Sequence, residues 1–466
     1  MNQRAGPKKP PPTQEEGVTR ISVSGFKSIS QEQSIEIRPL TILAGANSSG
    51  KTSIMQPLLL LKQTLEESYD PGALLLYGPN VKFTSVDQLL SRMGRGKTSD
   101  TFQVGISTGL DTALALYFRR QSGGGVDIQQ ATFLDHGFEI RLRLGMTREE
   151  ILSVIPPFLR RFHGTFSEME ERNLEWVVVR NRCFLALALR SEGGQLGPPF
   201  APFDGFDASL RAVIGAHIRW FIHLPGLRGN PERTYPVTAV GPTFPGTFEK
   251  YVASVIAQWQ AKKDRDKLEQ LSKDLEKLSL TWKVTARPIN DTQVELQVGR
   301  LVRPTKGRAR DLVSIADVGL GVSQTLPVLV ALQIAEPEQL VYLEHPELHL
   351  HPRAQFAMAQ ILANAADRGV RVVVETHSDL LLLGLRALVA EGKLASEKVK
   401  LHWFKRDSIG NTKVSSADLD VVGAFGEWPE DFAEVALEAE SRYLDAAEAR
   451  VKKNGYAGKS LATPRH

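Results

Sequence analysis

Hydrophobic and polar residues alternate in short runs through the first third of the chain, a pattern typical of β-strands. Glycine or aspartate separates most of the later runs, as in a β-meander. The alternating runs cover residues 19–23, 34–38, 102–108, 112–118, 129–133 and 138–144. A purely apolar run at 40–43 precedes a helical pattern over 53–67. This third of the chain is therefore predicted to be α/β, with an antiparallel sheet beside it.

From residue 147 to about residue 278 the pattern becomes mostly helical, apart from a Gly/Pro-rich stretch at 193–205. Its last part predicts one charged helix over 248–278, in which leucines recur at coiled-coil spacing. These are Leu268, Leu271, Leu275 and Leu278. Because they span fewer than two heptads, we expect them to pack against the protein's own core. The region is predicted to be an inserted helical arm or lid.

Two apolar strands in the last third of the chain end in polar residues. The run at 339–344 ends in Glu344 and is followed by HPELHLHP, and the run at 370–376 is followed by His377. A carboxylate at the tip of a buried strand is where nucleotide-binding α/β folds place a partner of magnesium. We therefore expect Glu344 to bind magnesium and His377 to contact a γ-phosphate.

The most specific motif lies directly after the apolar run at 40–43. Residues 41–53 read TILAGANSSGKTS and contain the complete phosphate-loop pattern G-x-x-x-x-G-K-T. Glycines let backbone N–H groups surround phosphates, a lysine reaches the β and γ oxygens, and a threonine hydroxyl binds magnesium. The predicted nucleotide-binding residues here are Gly45, Asn47, Ser48, Ser49, Gly50, Lys51, Thr52 and Ser53, with Thr52 and Glu344 as the metal ligands.

A second glycine-rich turn, at 317–324, precedes an apolar helix predicted over 325–334. Gly319, Gly321 and Ser323 form either an anion site at the helix start or a simple helix cap with close packing. One bound nucleotide does not need a second anion site. Two chains facing each other head to tail would, because each could close on the nucleotide of the other.

Composition narrows the class of protein. The 466 residues are 42% hydrophobic with a net charge of +4, which suits ordinary globular cores and does not demonstrate nucleic-acid binding. The single cysteine, Cys183, excludes an internal disulfide and is expected to be a buried apolar residue. The polar N-terminus lacks a signal-peptide core and no long apolar run occurs, so we expect a cytoplasmic protein without a membrane partner.

These patterns divide the chain into five parts. We expect a disordered tail at 1–17, a first lobe with the phosphate loop at 18–146 and the helical insertion at 147–283. A second lobe follows at 284–410, and a C-terminal extension at 411–466.

The order of motifs resembles the ABC-type ATPases of the RecF, SMC and OLD group. GFKSI at 25–29 resembles their early strand, GANSSGKTS their Walker A motif, DVGLGVSQ their signature, LVYLEHPELHLHP their Walker B motif and ETHSD at 375–379 their switch-histidine loop. The resemblance implies a P-loop head with a mixed central sheet plus an antiparallel sheet, ATP and Mg²⁺ as ligands, and a second copy of the chain as partner. Gln88 is a candidate for the Q-loop glutamine of this group.

One departure from the group concerns hydrolysis. The group usually has Asp then Glu at the Walker B tip, whereas this chain has Glu344 then His345. Imidazole lacks the fixed negative charge that polarises the attacking water. Either His345 or Glu347 is therefore expected to position this water, and hydrolysis is expected to be slow. We do not expect His349 and His351 to bind zinc, because no third ligand is evident.

The segment HLPGLRGNPERTYP at 223–236 and the Glu427-Trp428-Pro429 triplet resemble a bacterial branch of stand-alone ATPases, similar to those of the Septu and PARIS systems. Such a resemblance implies anti-phage defence with a separately encoded nuclease or toxin, since no Toprim-type nuclease pattern follows the head. The alternative is a RecF-like ATPase that binds double-stranded DNA in repair or maintenance.

Overall fold

In the computed structural model the described residues are 17–92, 98–109, 112–135, 137–154, 174–191, 207–301, 311–426 and 434–453. The strands are β1 (Val18–Ser24), β2 (Gln33–Glu36), β3 (Leu40–Gly45), β4 (Thr101–Thr108), β5 (Thr112–Arg120), β6 (Val126–Asp135), β7 (Phe138–Arg143), β8 (Leu174–Asn181), β9 (Phe184–Ser191), β10 (Ile222–Leu224), β11 (Tyr235–Pro236), β12 (Val284–Pro288), β13 (Gln293–Gly299), β14 (Leu312–Ser314), β15 (Leu340–Glu344), β16 (Arg371–Glu375), β17 (Val399–Arg406) and β18 (Thr412–Asp418). The α-helices are α1 (Lys51–Glu66), α2 (Arg148–Val154), α3 (Asp207–Trp220), α4 (Val252–Ala261), α5 (Arg265–Lys277), α6 (Leu320–Ile334), α7 (Pro352–Asp367), α8 (Asp379–Ala390) and α9 (Glu434–Lys453).

A mixed six-stranded sheet forms the centre of the fold, in the order β10-β15-β16-β3-β17-β18. All neighbouring pairs are parallel except the last, which is an antiparallel hairpin. Successive side chains of these strands enter two different cores: Ile42 lies in one and Leu43 in the other. Both faces of the sheet are therefore covered, which explains why its strands are continuous apolar runs. The carboxyl ends of β3, β15 and β16 meet at one edge.

An antiparallel six-stranded sheet, ordered β2-β1-β4-β5-β6-β7, shares a core with helix α1 and one face of the central sheet. Its alternating residues, such as Val104 and Leu116, are buried there. The predicted α/β class, with a mixed central sheet plus an antiparallel sheet, is confirmed.

Helices α4 to α8 share the second core with the opposite face of the central sheet. Leu271, Leu275 and Leu278 are buried in this core and Leu268 packs against it. The prediction that these leucines contact the protein's own core is confirmed. Cys183 is also buried as predicted, and burial raises the pKa of its thiol to about 12.

The region at 147–283, predicted to be mostly helical, contains strands as well as helices in its described parts. Strands β8 and β9 form an antiparallel hairpin there, and β10 joins the edge of the central sheet beside β15. Strand β10 has only three residues and follows helix α3 almost directly, so it carries no period that would distinguish it from the last turn of that helix. The helix predicted over 248–278 is interrupted as well, because Lys263 has a positive φ of 55° and Asp264 caps α5 by accepting the N–H of Lys267.

Two further boundaries differ from prediction. The segment 411–466 is not wholly an extension, since β18 completes the central sheet by pairing with β17. The helix predicted at 325–334 begins at Leu320, with Gly319 as its N-cap. Residues 1–16 of the predicted tail and the 427–429 triplet lie outside the described residues. Within the described ranges, no helix is both long and apolar enough to cross a membrane.

Candidate functional site

The phosphate loop, residues 45–53, joins the end of β3 to the start of α1. Gly45 and Gly50 have φ values of 137° and 105°, and Ser48 has a φ of 58°. The tip at Asn47 and Ser48 is exposed, whereas Ser49 and Ser53 are buried. The loop therefore presents its backbone and the first turn of α1 to the surface, as anion binding at a helix N-terminus requires.

Neighbouring strands hold this loop closely. The Thr412 hydroxyl donates to the carbonyl of Ser49 at 2.8 Å, and Arg406 Nε donates to the carbonyl of Ser48 at 2.8 Å. A Cβ on Gly50 would lie 2.2 Å from the Thr412 hydroxyl oxygen, and one on Gly45 would lie 2.2 Å from the Phe404 carbonyl oxygen. Both glycines are therefore required by space as well as by backbone conformation.

We expect Gly50→Ala to lower the free energy of unfolding by more than the about 1–2 kcal/mol of an unfavourable φ alone, because it adds a clash with Thr412. Gly72→Ala is the matched control, since Gly72 has a φ of 98° and a Cβ there would meet no heavy atom within 4 Å. Urea unfolding measures both variants. Equal losses would contradict the close contact at Gly50.

Lys51 connects the loop to the strand tips. Its Nζ donates to the carbonyls of Gly45 and Ala46, each at 3.0 Å, and to Nε2 of His377 at 3.1 Å. Burial lowers the pKa of His377 to about 4, and the charge of Lys51 acts in the same direction. At neutral pH His377 is therefore an uncharged acceptor beside the ammonium group.

Thr52 has a carboxylate partner that was not predicted. Its hydroxyl lies 2.9 Å and 3.0 Å from the two carboxylate oxygens of Glu375, and the hydroxyl of Tyr342 donates to the same carboxylate at 2.7 Å. Burial raises the pKa of Glu375, and the neighbouring charge of Glu344 adds to this. The two glutamates are register partners on β15 and β16.

Glu344, the predicted metal ligand, has different partners. Nε2 of His223 donates to its Oε1 at 3.1 Å, and the N–H of Gly226 donates to its Oε2 at 3.1 Å. Among the described residues, no hydrogen bond joins Glu344 to Thr52. Although burial acts to raise it, these bonds keep the pKa of Glu344 below its usual value, so the group is a carboxylate.

His345 and Glu347 lie beside His377. The rings of His345 and His377 stack at 5.0 Å between centroids, and His345 Nδ1 is 3.5 Å from Oε1 of Glu347. The same oxygen accepts the N–H of His377 at 3.2 Å. Oε2 of Glu347 is buried and has no hydrogen bond of normal geometry within the described ranges.

The pKa shifts of His345 and Glu347 favour the ionised form of Glu347. Burial would raise the pKa of Glu347, but the hydrogen bond from His345 and those from the backbone hold it below its usual value. Burial likewise would lower the pKa of His345, yet the carboxylates of Glu347 and Glu375 raise it. The pair therefore combines a buried carboxylate with an imidazole that attracts a proton.

Residues 223–229, here called the connecting segment, join the carboxyl end of β15 to helix α6. The guanidinium of Arg228 donates to the carbonyls of Gln324 (3.1 Å), Glu344 (2.7 Å) and His345 (3.2 Å). In return, Gln324 Nε2 donates to the carbonyl of Gly229 at 2.6 Å. Burial lowers the pKa of Arg228 to about 10, which leaves it charged at neutral pH. These hydrogen bonds couple the tip of β15 to the start of helix α6 through the connecting segment.

We expect Arg228→Ala to lower the free energy of unfolding by about 2 kcal/mol or more, because buried carbonyls lose their donor. Arg233→Ala, at an arginine just after the connecting segment, is the control. Arg233 also forms two hydrogen bonds, to Asp317, but at the exposed surface, where ion pairs contribute little. Thermal unfolding should separate the two variants, and a similar response from both would contradict the connecting role of Arg228.

The second glycine turn reaches the surface at the start of α6. Gly319 and Leu320 are exposed at the start of α6, and a Cβ on Gly319 would meet no atom within 4 Å. Gly321 lies against the carbonyl of His349, and the Ser323 hydroxyl donates to the carbonyl of Leu320 at 3.2 Å. In the described part of the chain, none of the three residues is hydrogen-bonded to residues 45–53.

A cleft of about 760 Å³ lies beside the phosphate loop. Its lining includes Ser48, Gly50, Thr52 and, from the antiparallel lobe, Lys27 and Gln88. Gln88 is hydrogen-bonded to Thr84 and lies at this cleft, so its assignment to the Q-loop stays a prediction. His351 caps helix α7 by accepting the N–H of Arg353, and no group of three His, Cys, Asp or Glu residues that could hold a metal ion occurs in the described ranges.

Sequence reasoning missed several contributors to this site. They are His223, Gly226, Arg228, Tyr342 and Glu375. A signal existed for Glu375, because it ends an apolar strand just as Glu344 does. For the connecting segment the only signal was its resemblance to a family motif.

Comparison with solved structures returns SMC heads of low similarity. An SMC head bound to the C-winged helix domain of ScpA shares 12% identity over 87% of this chain and 98% of that chain, with a TM-score of 0.48. The SMC head domain from Thermotoga maritima shares 10% over 86% and 98%, with a TM-score of 0.38. An SMC head with an extended coiled coil from Pyrococcus furiosus shares 11% over 93% and 99%, with a TM-score of 0.45.

No curated protein matches the chain. A family model matches residues 123–383, more than half of the sequence, and is described as "AAA domain, putative AbiEii toxin, Type IV TA system". The matched region contains helix α6, the Walker B tip and His377, and it begins after the phosphate loop. On this match, and with a complete phosphate loop preceding it, the chain belongs to this AAA domain family.

Proposed function

We propose that this protein binds ATP with magnesium and hydrolyses it slowly. The observation that carries the proposal is the convergence of Lys51, Thr52, His377 and the buried Glu347 at the tips of adjacent parallel strands. Lys51 already occupies an oxygen-lined position against Gly45 and Ala46, where phosphate oxygens would replace the carbonyls as its partners. Positioning and electrostatic stabilisation supply most of the catalysis in phosphoryl transfer.

Magnesium fits this donor set. A threonine hydroxyl next to a buried carboxylate matches the preference of Mg²⁺ for oxygen ligands, with the phosphates completing the shell. The candidate protein ligands are Thr52 and a carboxylate of the strand tips, either Glu344 or Glu375. The ion would supply charge neutralisation of the β and γ oxygens.

Each remaining polar residue has a proposed role. Glu347 accepts a hydrogen bond from the attacking water through Oε2, and His345 assists by fixing Oε1. Once Lys51 moves onto the phosphates, Nε2 of His377 loses this donor, and the neutral ring in its Nε2–H tautomer donates to a γ-phosphate oxygen. Because imidazole replaces the usual second carboxylate, turnover is slow.

We further propose that two chains assemble head to tail around nucleotide. The turn of Gly319, Gly321 and Ser323 at the start of α6, which is exposed at Gly319, would then complete the site of the partner. This arrangement explains why the turn reaches the surface at Gly319. The coupling of the two ends of the connecting segment would link the two sites.

Complementation tests the head-to-tail assembly. Lys51→Ala disables the phosphate loop of a chain, and Ser323→Arg blocks its signature turn. Each variant alone should be inactive, but a mixture forms one complete site from the intact halves and should regain part of the phosphate release. A mixture as inactive as its components would contradict composite sites while leaving nucleotide binding by the single chain intact.

We propose that nucleotide state controls a separately encoded effector, a nuclease or toxin, in bacterial anti-phage defence. The resemblance of the 223–236 segment to Septu- and PARIS-like ATPases supports this, and the family description refers to a toxin. Phage plaque counts on cells that carry the wild-type gene and its neighbours, compared with the Lys51→Ala version, test it. Equal plaque counts would contradict a nucleotide-dependent defence role.

The second candidate function is RecF-like DNA maintenance, in which ATP closure forms a basic groove on duplex DNA. Binding through phosphate contacts would fall steeply between low and moderate salt. Fluorescence anisotropy with a labelled duplex, with and without ATP, distinguishes the two functions. ATP-dependent, salt-sensitive binding supports the DNA function, and its absence supports the effector function.

A further inference from the structure

We propose that Glu375, at the tip of β16, and not Glu344 of the Walker B strand, is the carboxylate that holds the magnesium ion of bound nucleotide. This inference rests on the proposed function. It assigns the magnesium-binding carboxylate to β16, the strand that precedes His377, and not to β15.

The first argument is the position of Glu375 relative to Thr52. In phosphate-loop proteins the loop hydroxyl and one strand-tip carboxylate flank the magnesium ion together. Here both carboxylate oxygens of Glu375 lie within 3.0 Å of the Thr52 hydroxyl, so this pair already has that relation. Glu375 is only 4% exposed, so its carboxylate is directed at the loop hydroxyl and not at bulk water.

A second argument comes from the partners of Glu344. Both of its oxygens are engaged by protein donors, Oε1 by His223 and Oε2 by the N–H of Gly226. The stacking of the His223 ring on Tyr342, 5.6 Å between centroids, fixes that donor in place. Moving Glu344 towards Thr52 would leave a buried imidazole without its acceptor, which is costly. Glu344 instead holds the connecting segment against the strand tip.

Tyr342 explains how Glu375 is oriented. Its hydroxyl lies on the same strand as Glu344 and donates to Oε2 of Glu375 at 2.7 Å. A ligating carboxylate is generally oriented by such an outer donor, whose loss weakens metal affinity. Glu375 thus has an inner partner, Thr52, and an outer one, Tyr342, as metal-binding carboxylates do.

The test is the magnesium dependence of nucleotide affinity in the full chain, measured with a fluorescent ATP analogue in excess Mg²⁺ and in EDTA. Glu375→Gln and Glu344→Gln are matched isosteric variants of two glutamates in register on adjacent strands. We expect Glu375→Gln to lose about 10- to 100-fold of the magnesium enhancement while its affinity in EDTA is retained. Glu344→Gln should keep the enhancement.

The outcomes separate the inference from the proposed function. Loss of the enhancement in Glu344→Gln but not in Glu375→Gln would overturn the inference and leave the proposed function in place. Failure of the wild type to bind the analogue would overturn the proposed function itself. If Glu375→Gln does not fold, Glu375→Asp retains the charge but withdraws it by one methylene, and we expect it to weaken the magnesium enhancement more than Glu344→Asp does. Equal effects of the two aspartates would also overturn the inference.

Discussion

Replacing Lys51 with alanine should weaken nucleotide binding about 100-fold or more. The ammonium group is held by the carbonyls of Gly45 and Ala46 and by Nε2 of His377, at the start of α1. A charge-assisted hydrogen bond to phosphate contributes about 1.5–3 kcal/mol, so loss of the contacts to the β and γ oxygens lowers affinity about 100-fold or more. Titration of the purified chain with a fluorescent ATP analogue measures this directly.

The control for Lys51→Ala is Lys82→Ala, which removes a positive charge from an exposed position outside the site. Lys82 lies over the ring of Tyr77 and does not line the phosphate-loop cleft. Its removal should leave affinity for the analogue unchanged, apart from a small effect of net charge. If Lys51→Ala and Lys82→Ala bind equally well, residues 45–53 are not the nucleotide site.

Glu347→Gln should retain nucleotide binding and lose about 10²- to 10⁴-fold in turnover, the usual contribution of a positioned general base. The carboxylate is buried, its pKa is held below the usual value, and Oε2 forms no hydrogen bond of normal geometry in the described ranges, so this oxygen is the acceptor expected for the attacking water. Glutamine preserves shape and the contact to the His377 N–H but removes the charge. Separate measurements of affinity and of phosphate release distinguish binding from chemistry.

His345 provides the comparison for this second prediction. Its ring fixes Oε1 of Glu347 and stacks on His377, so His345→Asn should lower turnover through the position of Glu347 and by a smaller factor. A larger loss in His345→Asn than in Glu347→Gln would reassign the water-positioning role to the imidazole. The two single variants should not be additive, because the residues are in contact.

The elements with strong periodicity were predictable from sequence. The meander in the antiparallel sheet, β3, β15 and β16 all follow alternating or fully apolar patterns whose physical cause is burial on one face or both faces. The phosphate loop was predictable because its glycine positions are required both by backbone conformation and by the nearness of Thr412 and Phe404. Motif and geometry agree there.

Other features depend on tertiary contacts that no local pattern encodes. Strand β10 is short and gains its strand conformation only by pairing with β15. The break at Lys263 and Asp264 is a turn within a sequence of good helix formers. Glu375 faces Thr52, whereas Glu344 is held by His223 and Gly226. These two partners are distant from Glu344 in sequence, so no local pattern indicates which glutamate faces the loop.

The most direct test of the account is phosphate release from ATP by the purified full chain, measured with and without Mg²⁺ for the wild type, Lys51→Ala and Glu347→Gln. We predict slow, magnesium-dependent release by the wild type, background release by Lys51→Ala and release near background by Glu347→Gln despite normal nucleotide binding. Wild-type release that is no greater than that of Lys51→Ala would contradict ATP hydrolysis at the phosphate loop.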